Sequence, residues 1–464
     1  MSKRPVYMKN RNTPFAMIVL LVVLVGLIYQ YNNSFSLQSL VDNSELNGRN
    51  FAGKVEEIVA PKSKIKAYFM QENEVPIVAI SFIFTNSGSA YDEIGKKGIA
   101  TLVSSTIKYG TYNKTADALR DEMGVKGISI SFGSSKDDIS GSLVTPKENL
   151  ADAVEMLRDI LIRPKFEKKY VDVVKSQTIR SLKVEKENPA RELSLANEKL
   201  VFANHEYADN SLGTEQDITS ITQDDLKNFV KSKLARNNLY LGIAGDITSD
   251  DAMFLSDEIF GGLQEKNQTK KIENAVIDFE QPVKKINRKD GQNIVSFTTM
   301  GTCRKCEDFY PLYVANYIFG GAGLNSKLNQ QIREKEGLTY GGYSSMVLMD
   351  KVNLLNVGFS TTKDNFEKAV SMFKKEWKNY AQNGFSKKDV DLAKDYLIAS
   401  YNLRFASISG IADMLAMQQK MELGLDFLSK RNDYVKNVSV EDVNKAAKKY
   451  FTDKMLQAQI GTFN

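Results

Sequence analysis

The chain is written twice, and that duplication is the strongest constraint on what it can fold into. Ala118–Ser131 runs from a helix end into an alternating strand, and Gln331–Ser344 does the same, with Arg120 and Arg333 in register at an offset of 213. Thr145–Leu150 and Thr361–Phe366 each introduce an amphipathic helix, at an offset of 216. Phe166-Glu-Lys-Lys-Tyr-Val-Asp172 answers to Phe385-Ser-Lys-Lys-Asp-Val-Asp391 at 219. Thr222-Gln-Asp-Asp225 and Ser439-Val-Glu-Asp442, 217 apart, are both capping boxes, which satisfy two orphan amides at a helix start. Each box opens a helix leading to a terminal strand, near Leu239–Gly245 and Leu456–Gly461. Four matches in one order at a nearly constant offset favour duplication over convergent helix–strand patterning. Each half reads strand, helices, alternating strands, long helices, strand, which is α+β.

A chain of 464 residues with 42% apolar content sustains two cores of this kind. The expected domains are 55–263 and 294–464, joined by a charged linker, 264–293, rich in Lys and Asn. The formal charge of +5 is concentrated at the start, where Lys3, Arg4, Lys9 and Arg11 occur in residues 1–13 without an acid. The remainder is close to neutral and gives no electrostatic case for a nucleic-acid partner.

That basic head precedes an uninterrupted apolar run, Phe15–Tyr29, and no charge follows until Asp42. The run is shorter than the ~20 residues that span a bilayer comfortably, and it sits at the upper limit of a signal-peptide core. Segment 14–31 therefore reads as a transmembrane anchor or a cleaved signal, with Ser34-Phe35-Ser36 as a weak cleavage site and 32–54 as an exported linker. Either way the head stays cytoplasmic and the rest is exported. The expected location is a bacterial periplasm, anchored to the inner membrane or released as a soluble form.

The two cysteines stand in Thr302-Cys303-Arg-Lys-Cys306-Glu. Two thiolates cannot complete a tetrahedral zinc site, and no His lies nearby. Outside the cytoplasm a local Cys303–Cys306 disulfide bracing a loop is the better reading.

Gly98–Thr111 follows a strand expected over 76–86 and reads as a buried helix stopped at Gly110. It presents Thr101, Ser104 and Ser105 at helical spacing i, i+3, i+4, on one face. Met414, Met417 and Met421 have the spacing of a core stripe. Gly320-Gly-Ala-Gly323 lacks the Lys-Ser/Thr of a phosphate loop and reads as a turn.

From about Val55 onward the sequence resembles the pitrilysin/insulinase family of inverted zinc metallopeptidases, in its branch of two-domain subunits. The residues carrying the resemblance are Gly98-Ile-Ala through Lys108-Tyr-Gly-Thr111, Asn188-Pro189, Phe202-Ala-Asn-His-Glu-Tyr207, Gly213-Thr-Glu215 and Ile221–Leu226. In the second half they are Tyr317-Ile-Phe-Gly-Gly321, Asn325-Ser-Lys-Leu328 and Arg333-Glu-Lys-Glu-Gly-Leu-Thr-Tyr340. The resemblance implies two similar domains, each a mostly antiparallel sheet packed with helices, enclosing a chamber.

The departures decide the function. The family's His-x-x-Glu-His falls on Thr101, Ser104 and Ser105, and its third ligand near Ser181. Hydroxyls are poor zinc ligands and poor general bases near neutral pH. The chain has one His, His205, which the family places structurally. No zinc or other cofactor is expected in this chain. What the resemblance retains is an Arg and a Tyr seven residues later, Arg333 and Tyr340, which in active relatives bind substrate beside the zinc. Gly337 is expected to end the helix between them.

The chain thus resembles the zinc-less partner of bacterial heterodimeric peptidases. The implied function is a non-catalytic subunit that binds peptide and completes the site of a related, zinc-bearing chain. The alternatives are a structural or assembly protein of a membrane complex and, less favoured, an autonomous zinc metalloendopeptidase.

Overall fold

The computed structural model describes residues 54–289 and 291–463. The basic head and the apolar segment 14–31 lie outside the described residues. Among those described, no helix is long and apolar enough to cross a membrane.

Each half of the chain builds one sheet. The first comprises β1 (Glu56–Val59), β2 (Lys66–Gln71), β3 (Ile77–Phe84), β4 (Ser129–Ser134), β5 (Ile139–Pro146) and β6 (Leu239–Gly245), in the order β1-β2-β6-β3-β5-β4. The second comprises β7 (Lys284–Asn287), β8 (Asn293–Met300), β9 (Thr339–Met349), β10 (Val352–Thr361) and β11 (Leu456–Gly461), in the order β7-β11-β8-β10-β9. The sheets correspond strand for strand from β2 and β7 onward. Each has one parallel pair, β2 with β6 and β7 with β11, and is otherwise antiparallel. The α+β duplication and its mostly antiparallel sheets are therefore the observed architecture.

One boundary needs correction. The segment expected as a linker, 264–293, contains β7, the counterpart of β2. Its sequence, Lys-Lys-Ile-Asn, has no apolar alternation because it is a short edge strand, where charge is tolerated and useful. The stretch before it is also pinned: Ile272 is buried against Tyr91 and Tyr207.

The α-helices of eight or more residues in the first half are α1 (Ile99–Thr106), α2 (Ala116–Val125), α3 (Leu150–Ile162), α4 (Lys168–Glu187), α5 (Pro189–Val201), α6 (Gln223–Lys233) and α7 (Ser249–Phe260). Those of the second are α8 (Phe309–Asn316), α9 (Phe366–Asn383), α10 (Lys387–Asn402), α11 (Ile408–Lys420), α12 (Phe427–Lys436) and α13 (Val440–Tyr450). Both capping boxes form, Thr222 with Asp225 on α6 and Ser439 with Asp442 on α13. Strand β3, Ile-Val-Ala-Ile-Ser-Phe-Ile-Phe, is buried along almost its whole length. A strand that apolar throughout needs cover on both faces of its sheet.

The second face is covered by a helix from the other half. Helix α11 lies on the first sheet, with Ile411, Ala412 and Leu415 against Met70, Ala79 and Ala244. The Gln419 side chain accepts from Leu241 N–H at 2.6 Å and donates to Lys66 C=O at 3.0 Å. Gly242 makes the approach possible, because a Cβ there would stand 2.2 Å from Ala412 O. Reciprocally, α5 of the first half lies on the second sheet, Leu193 packing on Ala458 and Ile460. Asn188 caps α5 through Ala190 N–H and Arg191 N–H, with Pro189 at the first helical position. The spatial units therefore exchange one helix each, which the continuous ranges 55–263 and 294–464 do not describe.

The buried stripe of α11 also differs from the expected one. Ile408, Ile411, Ala412, Leu415, Ala416 and Gln419 face the sheet, while Met417 is 42% exposed and Met414 and Met421 lie on the flank. The small residues win the interface because the sheet approaches closely at Gly242.

The two halves meet where their equivalent hairpin turns touch. Asp137 Oδ2 accepts from Asp350 N–H at 3.1 Å, and the Tyr207 hydroxyl donates to Asp137 while accepting from Lys351 N–H. Lys420 bridges Asp138 and Asp350 from the end of α11.

Candidate functional site

Helix α1 carries three of the degenerate ligand positions, and it is built tightly. It starts at Gly98, whose φ of +91° is left-handed and whose missing Cβ leaves room for Leu212 O. Gly213 returns the favour: a Cβ there would meet Lys97 O at 2.0 Å. The helix start is capped from a distance by Asp92, which accepts from Gly98 N–H at 2.8 Å and Ala100 N–H at 3.3 Å. Burial pushes the Asp92 carboxyl up to about 7, against the pull of those two amides and Lys97.

The degenerate positions do not form one open site. Thr101 is half-buried and donates to Ser211 C=O at 2.7 Å, while Ser134 donates to Thr101 Oγ1 at 3.3 Å. Ser89 and Ser211 join hydroxyl to hydroxyl at 2.9 Å. Ser104 is buried and donates back to Thr101 C=O within its own helix, at 2.9 Å. Ser105 and Ser181, the latter on α4, are exposed. Thr101 and Ser104 are thus satisfied by neighbouring hydroxyls and backbone, while Ser105 and Ser181 face solvent.

That donor set does not fit zinc, which takes imidazole, thiolate or carboxylate in tetrahedral array. Among the described residues no group of three or more His, Cys, Asp or Glu could hold a metal ion. His205 is committed elsewhere: its Nδ1 accepts from Tyr207 N–H at 3.1 Å, so its Nε2 carries the proton and donates to Glu273 C=O at 2.9 Å.

Arg333 and Tyr340 are placed differently. The segment Gln330–Lys335 is wound as a π-helix, a geometry that recurs at functional sites. It ends at Gly337, φ +61°, whose N–H bonds Arg333 C=O at 3.1 Å. The Arg333 guanidinium makes no hydrogen bond or ion pair with any described residue. Tyr340 is 64% exposed. Thr339 pairs with Thr361 and Gly341 with Ser360, so Tyr340 is the extra, unpaired residue of a β-bulge on the edge strand β9. Bulges re-aim a side chain, and this one turns a phenol outward one turn and a glycine away from a free guanidinium.

Two features escaped the sequence. Tyr343 is 61% exposed and lies over Gly358 of β10, its register partner. Regular alternation would put Tyr340 and Tyr343 on opposite faces, and only the bulge brings both outward. Asp92 was not legible as a cap because it precedes α1 by several residues and no local capping pattern marks it.

Cys303 and Cys306 are joined as a disulfide in the loop between β8 and α8. Gly320 belongs to a second π-helical segment, Tyr317–Gly321, and it lies against Ser344 so closely that a Cβ would stand 2.5 Å from its hydroxyl. Gly320 and Gly321 thus belong to a continuous helix, and the expected turn begins only after them, at Ala322 with Gly323 left-handed at φ +58°.

A duplicated α+β body whose metal helix carries only hydroxyls, and whose second half offers a free guanidinium and phenol, defines an inactive counterpart of a two-domain zinc peptidase. The comparisons with known proteins agree. Residues 69–215 match the model described as "Insulinase (Peptidase family M16)", and residues 220–397 match "Peptidase M16 inactive domain". The chain belongs to the insulinase, or M16, peptidase family. It is 26% identical over 390 residues to "Non-peptidase homolog YmxG" of Helicobacter pylori, covering 82% of this chain and 88% of that one. It is 25% identical over 316 residues to "Probable inactive metalloprotease YmfF" of Bacillus subtilis, covering 66% and 72%. The crystal structure of a peptidase M16 inactive domain from Pseudomonas fluorescens superposes with a TM-score of 0.81 at 25% identity, covering 88% and 98%. The hydroxyls at the degenerate ligand positions are in keeping with the names of these two relatives, a non-peptidase homolog and a probable inactive metalloprotease.

Proposed function

We propose that this protein is the non-catalytic subunit of an exported zinc metallopeptidase complex. In this reading it binds peptide substrate and presents Arg333 and Tyr340 to the active site of a related chain with an intact His-x-x-Glu-His. The observation that carries it is the contrast between the two halves. Every degenerate ligand position holds a hydroxyl, yet Arg333 has no described partner and Tyr340 stands out from a bulge at 64% exposure. An unpaired guanidinium and an exposed phenol are donors suited to a peptide carbonyl or its developing oxyanion. Both would serve peptide chemistry if the metal came from another polypeptide. The basic head and apolar segment 14–31 support attachment to a membrane on its exported side, and the Cys303–Cys306 disulfide suits an oxidising compartment.

The test is co-expression with a related chain bearing the zinc motif, followed by peptide-cleavage assays. Arg333→Ala and Tyr340→Phe are expected to lower kcat/KM by roughly 10²-fold or more, the scale of losing an oxyanion donor, with assembly intact. Cleavage by both variants at the wild-type rate would remove this role and favour an assembly function.

A further inference from the structure

Helix α4, which bears the last degenerate ligand position, forms one wall of an open cleft. The cleft encloses about 680 Å³, lined by Gln177, Arg180, Ser181 and Val184 along α4 and by Asn188 and Arg191 where α5 begins. Glu185 is the one carboxylate on its wall, and it is spoken for. Its Oε1 accepts from Arg191 Nε and its Oε2 from Asn210 Nδ2, both at 2.7 Å. Ser211, the residue after Asn210, is the acceptor for Thr101, so the cleft adjoins the hydroxyl set of α1.

Arg180 is the unmatched charge of this cleft. Its guanidinium makes no hydrogen bond or ion pair with any described residue. Gln177 and Ser181 bring an amide and a hydroxyl to the same wall, also without described side-chain partners. Asn188 spends its Oδ1 on the amides of Ala190 and Arg191, which leaves its two N–H groups to give.

A lone arginine on a helix is ordinarily a solvated charge, and the duplication weighs against that reading here. At the offset of 219, helix α10 repeats the exposed face of α4: Leu392 stands for Val173, Tyr396 for Gln177 and Leu403 for Val184. The counterpart of Arg180 is Ala399. The fold therefore requires no charge at this place on the helix, and the guanidinium belongs to the cleft of the first half alone.

We infer that this cleft holds a peptide by a carboxylate, with Arg180 as the anchor and Val184 against the ligand's neighbouring side chain. The inference rests on the reading of the chain as a peptide-binding subunit. The planar fork of a guanidinium matches a carboxylate in geometry, and hydrogen bonds between two charged groups are the stronger ones. Where the family's third ligand would complete a cation site, this chain offers a fixed positive charge of its own. Glu185 does not repel the ligand strongly, because both its oxygens are engaged and Arg191 balances its charge.

The experiment is calorimetric titration of the full chain, without a zinc-bearing partner, using one short N-acetylated apolar peptide in three forms. These are the C-terminal acid, the C-terminal amide, and the amide with an internal Glu. A carboxylate form is expected to bind about tenfold or more tightly than the plain amide. Preference for the acid alone identifies a chain terminus as the ligand, and preference for the Glu-bearing amide identifies an acidic side chain. Arg180→Gln, at an exposed position, is expected to fold as the wild type does and to abolish the preference, while Arg180→Lys keeps part of it. Equal affinity for the three forms, no saturable binding, or a preference undiminished in Arg180→Gln overturns the inference. Cleavage by the co-expressed complex that falls in Arg333→Ala, beside equal binding of the three forms, removes this inference and leaves the subunit reading standing. A preference that depends on Arg180, beside cleavage indifferent to Arg333 and Tyr340, does the reverse.

Discussion

Asp350 donates its backbone N–H to Oδ2 of Asp137 across 3.1 Å, and the two aspartates are counterparts, 213 residues apart. That separation equals the offset between Arg120 and Arg333 and between the first residues of β5 and β10. The copies of the duplicated unit thus touch at the same turn of each, as they must if they are related by an approximate twofold axis. Tyr207 and Lys420 complete the joint, one from each half.

Removing one member of that joint leaves a buried carboxylate short of a donor. Tyr207→Phe deletes the hydroxyl that donates to Asp137 and accepts from Lys351 N–H. The expected cost is about 1–3 kcal/mol, read from the midpoint of urea unfolding. An unchanged midpoint would show that solvent replaces the hydroxyl without penalty.

Stability should fall as pH rises through the weakly acidic range. Burial raises Asp92 to about 7 and Asp138 to about 6, the latter despite its pairing with Lys420. The folded state keeps protons that the unfolded chain releases near pH 4 (roughly the ordinary carboxyl value). Below that pH both states are protonated and the contribution is complete; it is lost as pH climbs through the folded values. Asp92→Asn is expected to flatten this decline between about pH 4 and pH 7, measured by denaturant unfolding at several pH values. A variant whose stability declines as steeply as the wild type's would contradict the assignment.

The exchanged helix α11 depends on a glycine. Gly242→Ala would set a methyl group 2.2 Å from Ala412 O and 2.4 Å from Ala416 N, both backbone atoms that cannot swing aside. A loss of about 1–3 kcal/mol or more is expected. Gly133→Ala on the edge strand β4, with its nearest neighbour at 3.8 Å, is the control and should change stability little. Similar midpoints for the two variants would argue against close helix–sheet contact at Gly242.

The duplicated capping boxes should be energetically equivalent. Thr222→Ala and Ser439→Ala each remove an acceptor for the amide three residues on, Asp225 or Asp442, at about 1 kcal/mol apiece. The two sites share no partner, so the double variant should lose the sum. A strongly non-additive result would mean that the halves communicate through these helices.

Much of this molecule could be read from residues that act locally. Caps, strand alternation and the helix-stopping Gly337 depend on near neighbours, and the terminal strands Leu239–Gly245 and Leu456–Gly461 fall where the pattern puts them. What escaped depends on partners distant in sequence. An apolar stripe on α5 or α11 says that something covers it, not which sheet. The Met stripe on α11 misled for that reason, since the small residues beside it meet the sheet. Strand β7 escaped because an edge strand of Lys-Lys-Ile-Asn has no burial to advertise. The bulge at Tyr340 arises from the register of β9 against β10, and neither strand shows it alone.

The crossing of α5 and α11 has a bearing on how the protein is made. As the chain leaves the ribosome, the first sheet can form its strands but cannot finish its core until residue 420 has been synthesised. Until then the early half has one apolar flank of its sheet bare. Cutting such a gene between its repeats would release two fragments that are each missing a wall.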